Sequence, residues 1–551
     1  MAPHRSSISV LIPIIVSISL AIGIYTGVWI GREKGNKIEW LGKRSPDSLN
    51  LSQEDPATID RILQLIERKY VDTVERKELA ADAIKKVLNE LDPHSFYIPK
   101  KKEKKVNEPL EGEFEGIGVQ FMIQKDTVVV VTPIAGGPSE SLGIKPGDRI
   151  VQVEGESIAG IGIENKDVID KLRGKKGTKV DITVFRPGAD SLIPFTITRG
   201  KIPIHSVDVG YMVDERTGYV KITRFSKSTH SEFQKKNERL LDQGMERLIL
   251  DLRGNGGGYL RSAIKVADEF LKEGKMIVYT EGKEHPTRTH KATSAGMLHG
   301  VNVAVLIDGG SASASEIVAG ALQDHGRGVI VGRRSFGKGL VQKQISLPGM
   351  GAIRLTVARY HTPTGRCIQK PYGKGADYKK EVYDRYEKGE LVHPDSIDLP
   401  DSLKYTTATG KVVYGGGGIM PDRFVPIDTQ EVSPHYSELL YKGAVNKLAF
   451  DHADKHRDRL QSLYKNVQAY IENFEVPSSL MQRILDKGAE KGIDYKKGER
   501  ARIRKELKYR VKALIGRNIW NERAYYPIVL QKDPVFKEAL TALKERSKKS
   551  S

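Results

Sequence analysis

Hydrophobic positions follow a helical period over residues 57–110. Ile59, Ile62, Leu63 and Ile66 are separated by one, three or four positions, which places their side chains on one face of an α-helix. We therefore expect residues 57–110 to form a small helical region. We interpret this region as a packing element without a part in the chemistry.

The pattern changes to short β-branched runs after residue 113. The stretch Thr127–Val131 is rich in valine, and glycine and proline at Gly136–Pro138 separate it from the next run. Short strands bounded by turn residues are typical of a β-rich domain. We assign residues 113–199 to such a domain.

Strand and helix patterns alternate between residues 200 and 426. Apolar runs, many of them β-branched, are followed by segments with helical spacing such as Phe233–Leu241 and Ser315–Leu322. This alternation predicts a sheet covered by helices. We therefore expect an α/β core over 200–426, which makes the chain a multidomain α/β protein. The runs that we assign to strands are 220–222, 248–252, 303–307, 329–332 and 352–358.

An uncharged apolar stretch extends from Ile8 to Ile30. It is long enough to span a bilayer as a helix of about 20 residues, and it lacks the short apolar centre of a cleaved signal peptide. We expect an N-terminal transmembrane anchor over residues 1–31 and a polar linker over 32–56. Basic residues flank the stretch on both sides, so the charge bias does not decide its orientation.

The formal net charge of +19 is concentrated near the C-terminal end. Residues 491–551 hold 18 Lys and Arg against 7 Asp and Glu. Such an excess favours an acidic partner or nucleic acid where it forms a binding surface, but charge runs in a helical segment are usually solvated. We predict a basic helical region over 427–551 and no nucleic-acid partner. Cys367 is the only cysteine of the sequence, which excludes an intrachain disulfide.

A glycine turn at residues 116–119 (GIGV) opens the β-rich domain and indicates peptide binding. Its backbone N–H groups are available to a terminal carboxylate, and a neighbouring strand edge can accept an extended peptide. Together with residues 142–148 (LGIKPGD), the segment resembles a PDZ domain. Arg173 is either a cation that reports bound peptide to the catalytic domain or a solvated charge in a turn. The peptide-binding residues that we predict are Gly116, Ile117, Gly118, Val119 and Arg173.

Ser313 lies in a run of small residues that follows a predicted strand. Ser313 and Glu316 have the spacing of a helix-capping box, in which each side chain bonds a backbone N–H of the other residue. The same position suits a nucleophile, because the N-terminus of a helix favours a developing oxyanion. Ser311 and Ser315 compete for this role, and the local sequence leaves the choice open.

Lys338 stands between two glycines in the stretch Ser335–Gln342. A lysine in water has a pKa of about 10.4, so it acts as a base at neutral pH only where burial lowers that pKa. The stretch supplies apolar neighbours and no carboxylate, and Gln342 is placed to orient the amine. An isolated Gly-Lys-Gly more often forms a surface turn or a phosphate contact, but no Walker spacing precedes this one.

Three motifs together resemble those of the carboxyl-terminal processing peptidases, also called tail-specific proteases. They are residues 251–258 (DLRGNGGG), 311–316 (SASASE) and 335–339 (SFGKG). The resemblance extends over about residues 59–426. It implies a crotonase- or ClpP-like α/β catalytic core with an inserted PDZ domain.

The resemblance also implies an activity and a location. It implies a serine endopeptidase with a Ser-Lys dyad that needs neither a metal nor an organic cofactor. The catalytic part is expected in the periplasm or its equivalent, attached to the inner membrane by a single-pass anchor, and a homodimer is expected. The implied catalytic residues are Ser313 as nucleophile, Lys338 as general base and Gln342 as supporting residue. The implied oxyanion donors are the N–H groups of Ala314 and of Gly257 or Gly258.

Other functional classes remain as alternatives. A noncatalytic PDZ scaffold would lack the serine, the lysine or the glycine turn, all of which are present. An acyl-thioester enzyme of the crotonase type would bind a nucleotide cofactor and would not need Ser313. A Ser-His-Asp arrangement would draw on His325 or His361, and neither histidine stands in a recognisable triad motif.

Overall fold

The computed structural model describes residues 58–373, 378, 380–397, 399–427, 433–496 and 498–550. The chain divides into two compact units, Met1–Asp82 and Ala83–Ser551. The predicted anchor and the predicted linker lie outside the described residues. Within the described ranges, no helix is long and apolar enough to cross a membrane.

The helices of the described part are numbered in chain order. They are α1 Thr58–Lys69, α2 Arg76–Asn89, α3 Lys100–Glu111, α4 Pro138–Ser141, α5 Asn165–Leu172, α6 Thr229–Asp242, α7 Leu260–Asp268, α8 Ala314–Asp324, α9 Glu381–Glu387, α10 Pro434–Tyr441, α11 Ala444–Lys455, α12 Arg457–Leu463, α13 Val467–Asn473, α14 Ser478–Glu490, α15 Glu499–Trp520, α16 Glu522–Val529 and α17 Pro534–Ser550.

The strands are numbered in the same way. They are β1 Phe96–Pro99, β2 Glu113–Gly116, β3 Val119–Gln124, β4 Thr127–Pro133, β5 Arg149–Val153, β6 Glu156–Ser157, β7 Lys179–Phe185, β8 Ile193–Thr198, β9 Gly200–Pro203, β10 Val207–Met212, β11 Thr217–Ile222, β12 Arg247–Asp251, β13 Met276–Gly282, β14 His285–Lys291, β15 Asn302–Ile307, β16 Gly328–Gly332, β17 Leu340–Leu347, β18 Gly351–His361, β19 Lys404–Thr406, β20 Val412–Tyr414 and β21 Arg423–Phe424.

A six-stranded sheet in the order β10-β11-β12-β15-β16-β21 forms the core of the predicted catalytic region. β10 and β11 are antiparallel, and the other neighbours are parallel. Leu248 and Leu250 of β12 pack into one hydrophobic core, whereas Ile249 packs into another. Because both faces of the sheet are covered, its strands read as continuous apolar runs in the sequence.

Helices from distant parts of the chain cover the two faces of this sheet. Side chains of α6, α7 and α8 complete the core on one face. On the other face α17 packs against β12, β15 and β16, and Phe536 lies within the same core as Tyr219 and Leu306. The division that we predicted at residue 426 therefore separates α17 from the sheet that it covers.

The β-rich domain is an antiparallel sheet in the order β3-β4-β5-β7-β8, with β6 paired to β5. Val168 and Leu172 of α5 belong to its core. β2 and β9 pair with each other just before and just after this domain, so that Gly116 lies opposite Gly200. Entry and exit are thus adjacent, as an inserted domain requires.

A second sheet is built on the long hairpin of β17 and β18. β1 and β13 both pair with β18, and β14 extends the sheet from β13. The pairing of β1 brings the turn at residues 92–95 close to the hairpin. This arrangement positions part of the cavity described below.

The helices α10 to α16 share a hydrophobic core of their own. This cluster contacts the β-rich domain through Asp454, which pairs with Arg149 at 3.2 Å, and through Asp451, which accepts a hydrogen bond from Gln124. The C-terminal region is therefore helical where it is described, and most of it forms a unit distinct from the central sheet.

Candidate active site

Ser313 lies in the turn between β15 and α8. Its backbone has φ 54° and ψ −110°, a conformation that is strained for a residue with a side chain. The N–H of Ser313 donates to Oε2 of Glu316 at 2.7 Å, and the two residues form a capping box. The cap and the nucleophile interpretations are therefore compatible, because the cap holds the strained backbone of a serine that lines a cavity.

The two competing serines have structural hydrogen bonds. Ser311 Oγ donates to the carbonyl oxygen of Leu252 at 2.9 Å, and Ser315 Oγ donates to that of Asn255 at 2.8 Å. Both serines are buried, and neither lines the cavity. Among the three serines, the structure brings Ser313 to the cavity wall.

Glu316 connects the serine segment to the lysine segment, a role that sequence reasoning missed. Its buried carboxylate accepts hydrogen bonds from the N–H groups of Ser313 at 2.7 Å, Gly337 at 2.7 Å and Lys338 at 2.9 Å, and from Ser335 Oγ at 2.5 Å. Burial raises the pKa of Glu316 in spite of these donors. The capping-box spacing indicated the first contact, but nothing in the sequence indicated the others.

Lys338 precedes β17, and its Nζ donates to Oε1 of Gln342 at 3.0 Å. Burial, and to a lesser extent the cation of Arg354, lower the pKa of Lys338 from 10.5 to about 8 against the opposing effect of two nearby carboxylates. The amine thus has a neutral amide as its partner. Lys338 and Ser313 line the same cavity, and no direct hydrogen bond joins their side chains in the described part of the chain.

Gln342 is held by the turn at residues 92–95. Its Nε2 donates to the carbonyl oxygen of His94. The Asp92 carboxylate orders this turn by accepting from the N–H groups of His94 at 2.8 Å and Ser95 at 2.9 Å. The turn belongs to the region that we interpret as a packing element, and it positions the side chain that bonds the lysine.

In the predicted oxyanion turn, Gly257 lies close to Ser313, and Gly258 lies close to the carbonyl oxygen of Phe225. A Cβ on Gly257, at φ 101°, would lie 2.9 Å from Cβ of Ser313, and a Cβ on Gly258, at φ 146°, would lie 2.0 Å from a backbone oxygen. The N–H of Gly257 donates to Oδ1 of Asn255 at 2.9 Å. In the described structure the N–H groups of Gly258 and Ala314 have no recorded acceptor. This geometry favours Gly258 over Gly257 as a donor to an oxyanion.

A buried ionic cluster anchors the start of the glycine turn. Asp251, at the end of β12, contacts Arg253 at 2.6 Å, Lys221 at 3.1 Å and the hydroxyl of Tyr219 at 2.8 Å. Burial alone would raise the pKa of Asp251, but the cations of Arg253 and Lys221 lower it well below its ordinary range. Arg253 also pairs with Asp533 at 2.6 Å, which ties the turn to the start of α17.

These groups surround a cavity of about 720 Å³. Its walls come from α3, the glycine turn, the start of α8 and the β17–β18 hairpin. The volume lies in the range of ordinary ligand pockets, and it suits a short extended peptide. The polar and charged side chains of its wall are those of Asn107, Glu111, Tyr259, Arg261, Ser313, Lys338, Gln342, Gln344, Arg354 and Tyr360.

A second groove, of about 250 Å³, lies between β3 and α5. Ile117, Gly118, Val119 and Arg173 line it, as the sequence predicts for a peptide site. Gly116 does not line it; this glycine pairs with Gly200 in the β2–β9 ladder. The N–H groups of Ile117 and Gly118 have no recorded acceptor within the described structure, so they are available to a carboxylate.

Arg173 connects this groove to α3. Its Nη1 donates to Oε2 of Glu108 at 2.5 Å, and its guanidinium lies 4.3 Å from the ring centroid of Phe114. Since α3 also lines the cavity at Ser313, this ion pair bridges the two sites. The interpretation of Arg173 as a solvated turn cation therefore does not describe its environment.

The histidines of the alternative triad lie elsewhere. His325 Nε2 contacts the carbonyl oxygen of Met276 at 2.6 Å, and His361 contacts Glu281 at 3.1 Å. Neither histidine lines the cavity at Ser313. The arrangement of a Ser-His-Asp triad is thus absent around Ser313 in the described residues.

Three family models match parts of the chain. The model of peptidase family S41 matches residues 216–379, a PDZ domain model matches 129–186, and a family of unknown function (DUF8443) matches 435–521. The first match lies in the predicted core and the second in the predicted β-rich domain. Fold and sequence together define a peptidase that carries a PDZ domain.

Curated relatives define the family more closely. A carboxy-terminal-processing protease of Bartonella bacilliformis is 36% identical over 312 residues, which are 56% of this chain and 71% of that protein. The carboxy-terminal processing protease CtpB of Bacillus subtilis is 36% identical over 325 residues, which are 58% of this chain and 67% of that protein. The chain therefore belongs to the carboxy-terminal processing serine proteases of peptidase family S41, and the resemblance that its motifs indicate is confirmed.

A solved structure is also similar in sequence. The photosystem II D1 C-terminal processing protease is 26% identical and covers 67% of this chain and 92% of its own, with a TM-score of 0.34.

Proposed function

We propose that this protein is an endopeptidase that binds the C-terminal tails of other proteins in the PDZ groove and cleaves them with a Ser313–Lys338 dyad. One observation carries the proposal. A serine with a strained backbone lines the same cavity as a buried lysine whose amine has a neutral hydrogen-bond partner. Burial lowers the pKa of that lysine to about 8, so a useful fraction is a free base near neutral pH.

The first half of the reaction forms an acyl-enzyme. Neutral Lys338 donates one N–H to Gln342 and keeps its lone pair for the proton of Ser313 Oγ, which attacks the scissile carbonyl carbon. The N–H groups of Ala314 and Gly258 stabilise the oxyanion. The Lys338 ammonium then returns the proton to the leaving amine as the C–N bond breaks.

The second half releases the acyl group. Lys338, neutral again, accepts a proton from a water molecule that attacks the ester carbonyl carbon. The tetrahedral intermediate collapses, and the proton on Lys338 passes to Ser313 Oγ. The products are a new carboxylate and the regenerated serine, and the scheme requires neither a metal nor an organic cofactor.

The PDZ groove supplies the choice of substrate. A tail would add to β3 as an extended strand, with its carboxylate at the N–H groups of Ile117 and Gly118. Apolar side chains of the groove wall would receive the terminal residues. We include a homodimer in the proposal, with sedimentation velocity of the full chain as its test.

The location is a further part of the proposal. The stretch from Ile8 to Ile30 would act as a single-pass anchor in the inner membrane, with the catalytic part in the periplasm and extracytoplasmic proteins as substrates. Protease accessibility in intact and permeabilised spheroplasts tests this orientation. Digestion of the catalytic part in intact spheroplasts is expected, whereas digestion only after permeabilisation would contradict it.

The central experiment compares wild type with Ser313→Ala on an extracytoplasmic protein extract and maps the new C-termini. Wild type is expected to create C-termini that the variant does not, with residual activity below about 10⁻⁴ of wild type. Control variants Ser311→Ala and Ser315→Ala remove hydroxyls that lie outside the cavity. If the protein were a noncatalytic PDZ scaffold, wild type would create no new C-termini. If it were an acyl-thioester enzyme, Ser313→Ala would still turn over acyl thioesters.

A further inference from the structure

Arg354 is a cation of the cavity wall without an anionic partner among the described residues. It lies on β18, half-buried, and lines the cavity together with Ser313 and Lys338. Its Nη2 donates to two neutral amide oxygens, Oδ1 of Asn107 at 3.1 Å and Oε1 of Gln344 at 3.2 Å. Arg366, which pairs with Asp324 at 2.7 Å, and Arg253, which pairs with Asp251 at 2.6 Å, have the carboxylate partner that Arg354 lacks.

The strand register places Arg354 next to the catalytic machinery. In the β17–β18 hairpin Gln342 lies opposite Thr356, and Gln344 lies opposite Arg354. Residues two apart on a strand face the same side and are separated by about 7 Å. Arg354 therefore lies on the same face of the hairpin as Gln342, the glutamine that bonds Lys338 Nζ, and is one cross-strand pair away from it.

The carboxylate that shares the cavity wall with Arg354 does not neutralise its charge. The carboxylate of Glu111 also lines the cavity, but it accepts a hydrogen bond from the Tyr259 hydroxyl at 2.8 Å and pairs with Lys227 at 3.1 Å. Burial lowers the pKa of Arg354, which reports a partly desolvated charge. A desolvated cation with only neutral partners gains most from an anion that arrives with the substrate.

We propose that Arg354 forms a carboxylate-binding subsite of the cleavage cavity, so that the protein prefers substrates with a carboxylate close to the scissile bond. This inference rests on the proposed function of the same cavity. The carboxylate is either the side chain of an acidic residue or the substrate's own C-terminus. A guanidinium binds either group through paired N–H donors.

The test measures kcat/KM of the full-length protein on matched peptides. One set replaces each position flanking the mapped cleavage site by Glu or by Gln. A second set ends in a free acid or in an amide at increasing distance from that site. Wild type is expected to prefer the carboxylate member of one set by about tenfold or more, as one charged hydrogen bond allows.

Arg354→Gln is expected to reduce this ratio to within about twofold of one. The ratio isolates the subsite, because an effect of Arg354 on the base Lys338 changes both members of a pair equally. Arg359→Gln is the matched control: it lies on the same strand, is exposed and does not line the cavity. It should keep the wild-type ratio.

Two results would overturn the inference. One is a wild-type ratio near one in both peptide sets, and the other is an Arg354→Gln variant with the wild-type ratio. Failure of the proposed function looks different, because Ser313→Ala would then cleave the same peptides. A third result concerns the peptides that end in a free acid or an amide. If their difference in kcat/KM survives Arg354→Gln but is lost when the PDZ groove is blocked, the PDZ domain binds the terminal carboxylate. Arg354 would then not bind the substrate's C-terminus.

Discussion

The cavity at Ser313 and the PDZ groove each offer, at a glycine turn, backbone N–H groups that have no acceptor among the described residues, but their surroundings differ. In the cavity, Ser313 is strained and the Lys338 amine bonds a neutral amide at 3.0 Å. In the groove the walls are mainly apolar, and the cation Arg173 is neutralised by Glu108 at 2.5 Å.

This difference teaches what separates binding from chemistry in this protein. Free N–H donors are available to an anionic oxygen in either place. Bond cleavage also needs a nucleophile and a base whose neutral form is accessible. A carboxylate beside a lysine stabilises the ammonium and removes that base. Lys221 has such a neighbour, because it lies 3.1 Å from the carboxylate of Asp251.

After Ser313→Ala, the largest expected effect is that of Lys338→Ala. Removal of the general base should lower kcat by about 10² to 10⁴-fold, because the Ser313 proton then has no acceptor. Binding of a free-acid tail peptide, measured by calorimetry, should be retained because the groove is unchanged. Lys343→Ala, an exposed position of β17, is the control. Full turnover by Lys338→Ala would reject the dyad.

Gln342→Glu should place a carboxylate beside Lys338 and so convert it into an ordinary ion-paired lysine. The wild-type rate is expected to rise as the pH increases through about 8, because burial lowers the Lys338 pKa to about 8 and the neutral amine is the active form. A carboxylate at residue 342 favours the ammonium and moves this rise to higher pH, with about a tenfold loss at neutral pH per unit of pKa.

Gln342→Met separates charge from orientation in this experiment. It removes the hydrogen bond to Lys338 and adds no charge, so kcat should fall without an upward shift of the pH profile. The measurement is the profile of kcat/KM between about pH 6 and 10, the range in which the neutral amine becomes dominant. Identical profiles for Gln342→Glu and wild type would show that Lys338 is not the titrating base.

Ile169→Asp should damage the groove and spare the cavity. A carboxylate in the groove wall repels the carboxylate of a tail and removes apolar contact, so the dissociation constant of a free-acid peptide should rise by about tenfold or more. Asn165→Asp adds the same charge on the exposed side of α5 and serves as control. Binding that is unaffected by Ile169→Asp would place the tail site elsewhere.

The smallest effect is expected at the contact between the two sites. Arg173→Gln removes a partly exposed ion pair with Glu108, which is worth at most about 1 kcal/mol, or about fivefold. We expect a change of that size in cleavage of a tail-bearing protein and a smaller one for a short peptide without a tail. Lys175→Gln, at an exposed position nearby, should change neither. Equal changes for both substrates would contradict a link between the groove and the cavity.

Sequence reasoning reached the parts of the site that are encoded within short segments. The Ser313 turn, the Gly-Lys-Gly stretch and the GIGV loop each carry their chemistry in a few adjacent residues. It did not reach contacts between distant segments, such as Gln342 with the carbonyl oxygen of His94, because a backbone acceptor leaves no mark on residue type. The choice between Gly257 and Gly258 likewise depends on which N–H group Asn255 occupies.

The sequence by itself determined the family, the α/β core with its PDZ domain, and the residues for which nucleophile and base roles are proposed. Those features depend on local patterns of side-chain type and backbone requirement. Only the tertiary structure decided that Glu316 holds the serine and lysine segments together, that α17 covers the central sheet and that Arg354 lies in the cavity wall beside two neutral amides. Each of these results from long-range packing, in which burial and the nearest charge, rather than the residue type, decide what a side chain does.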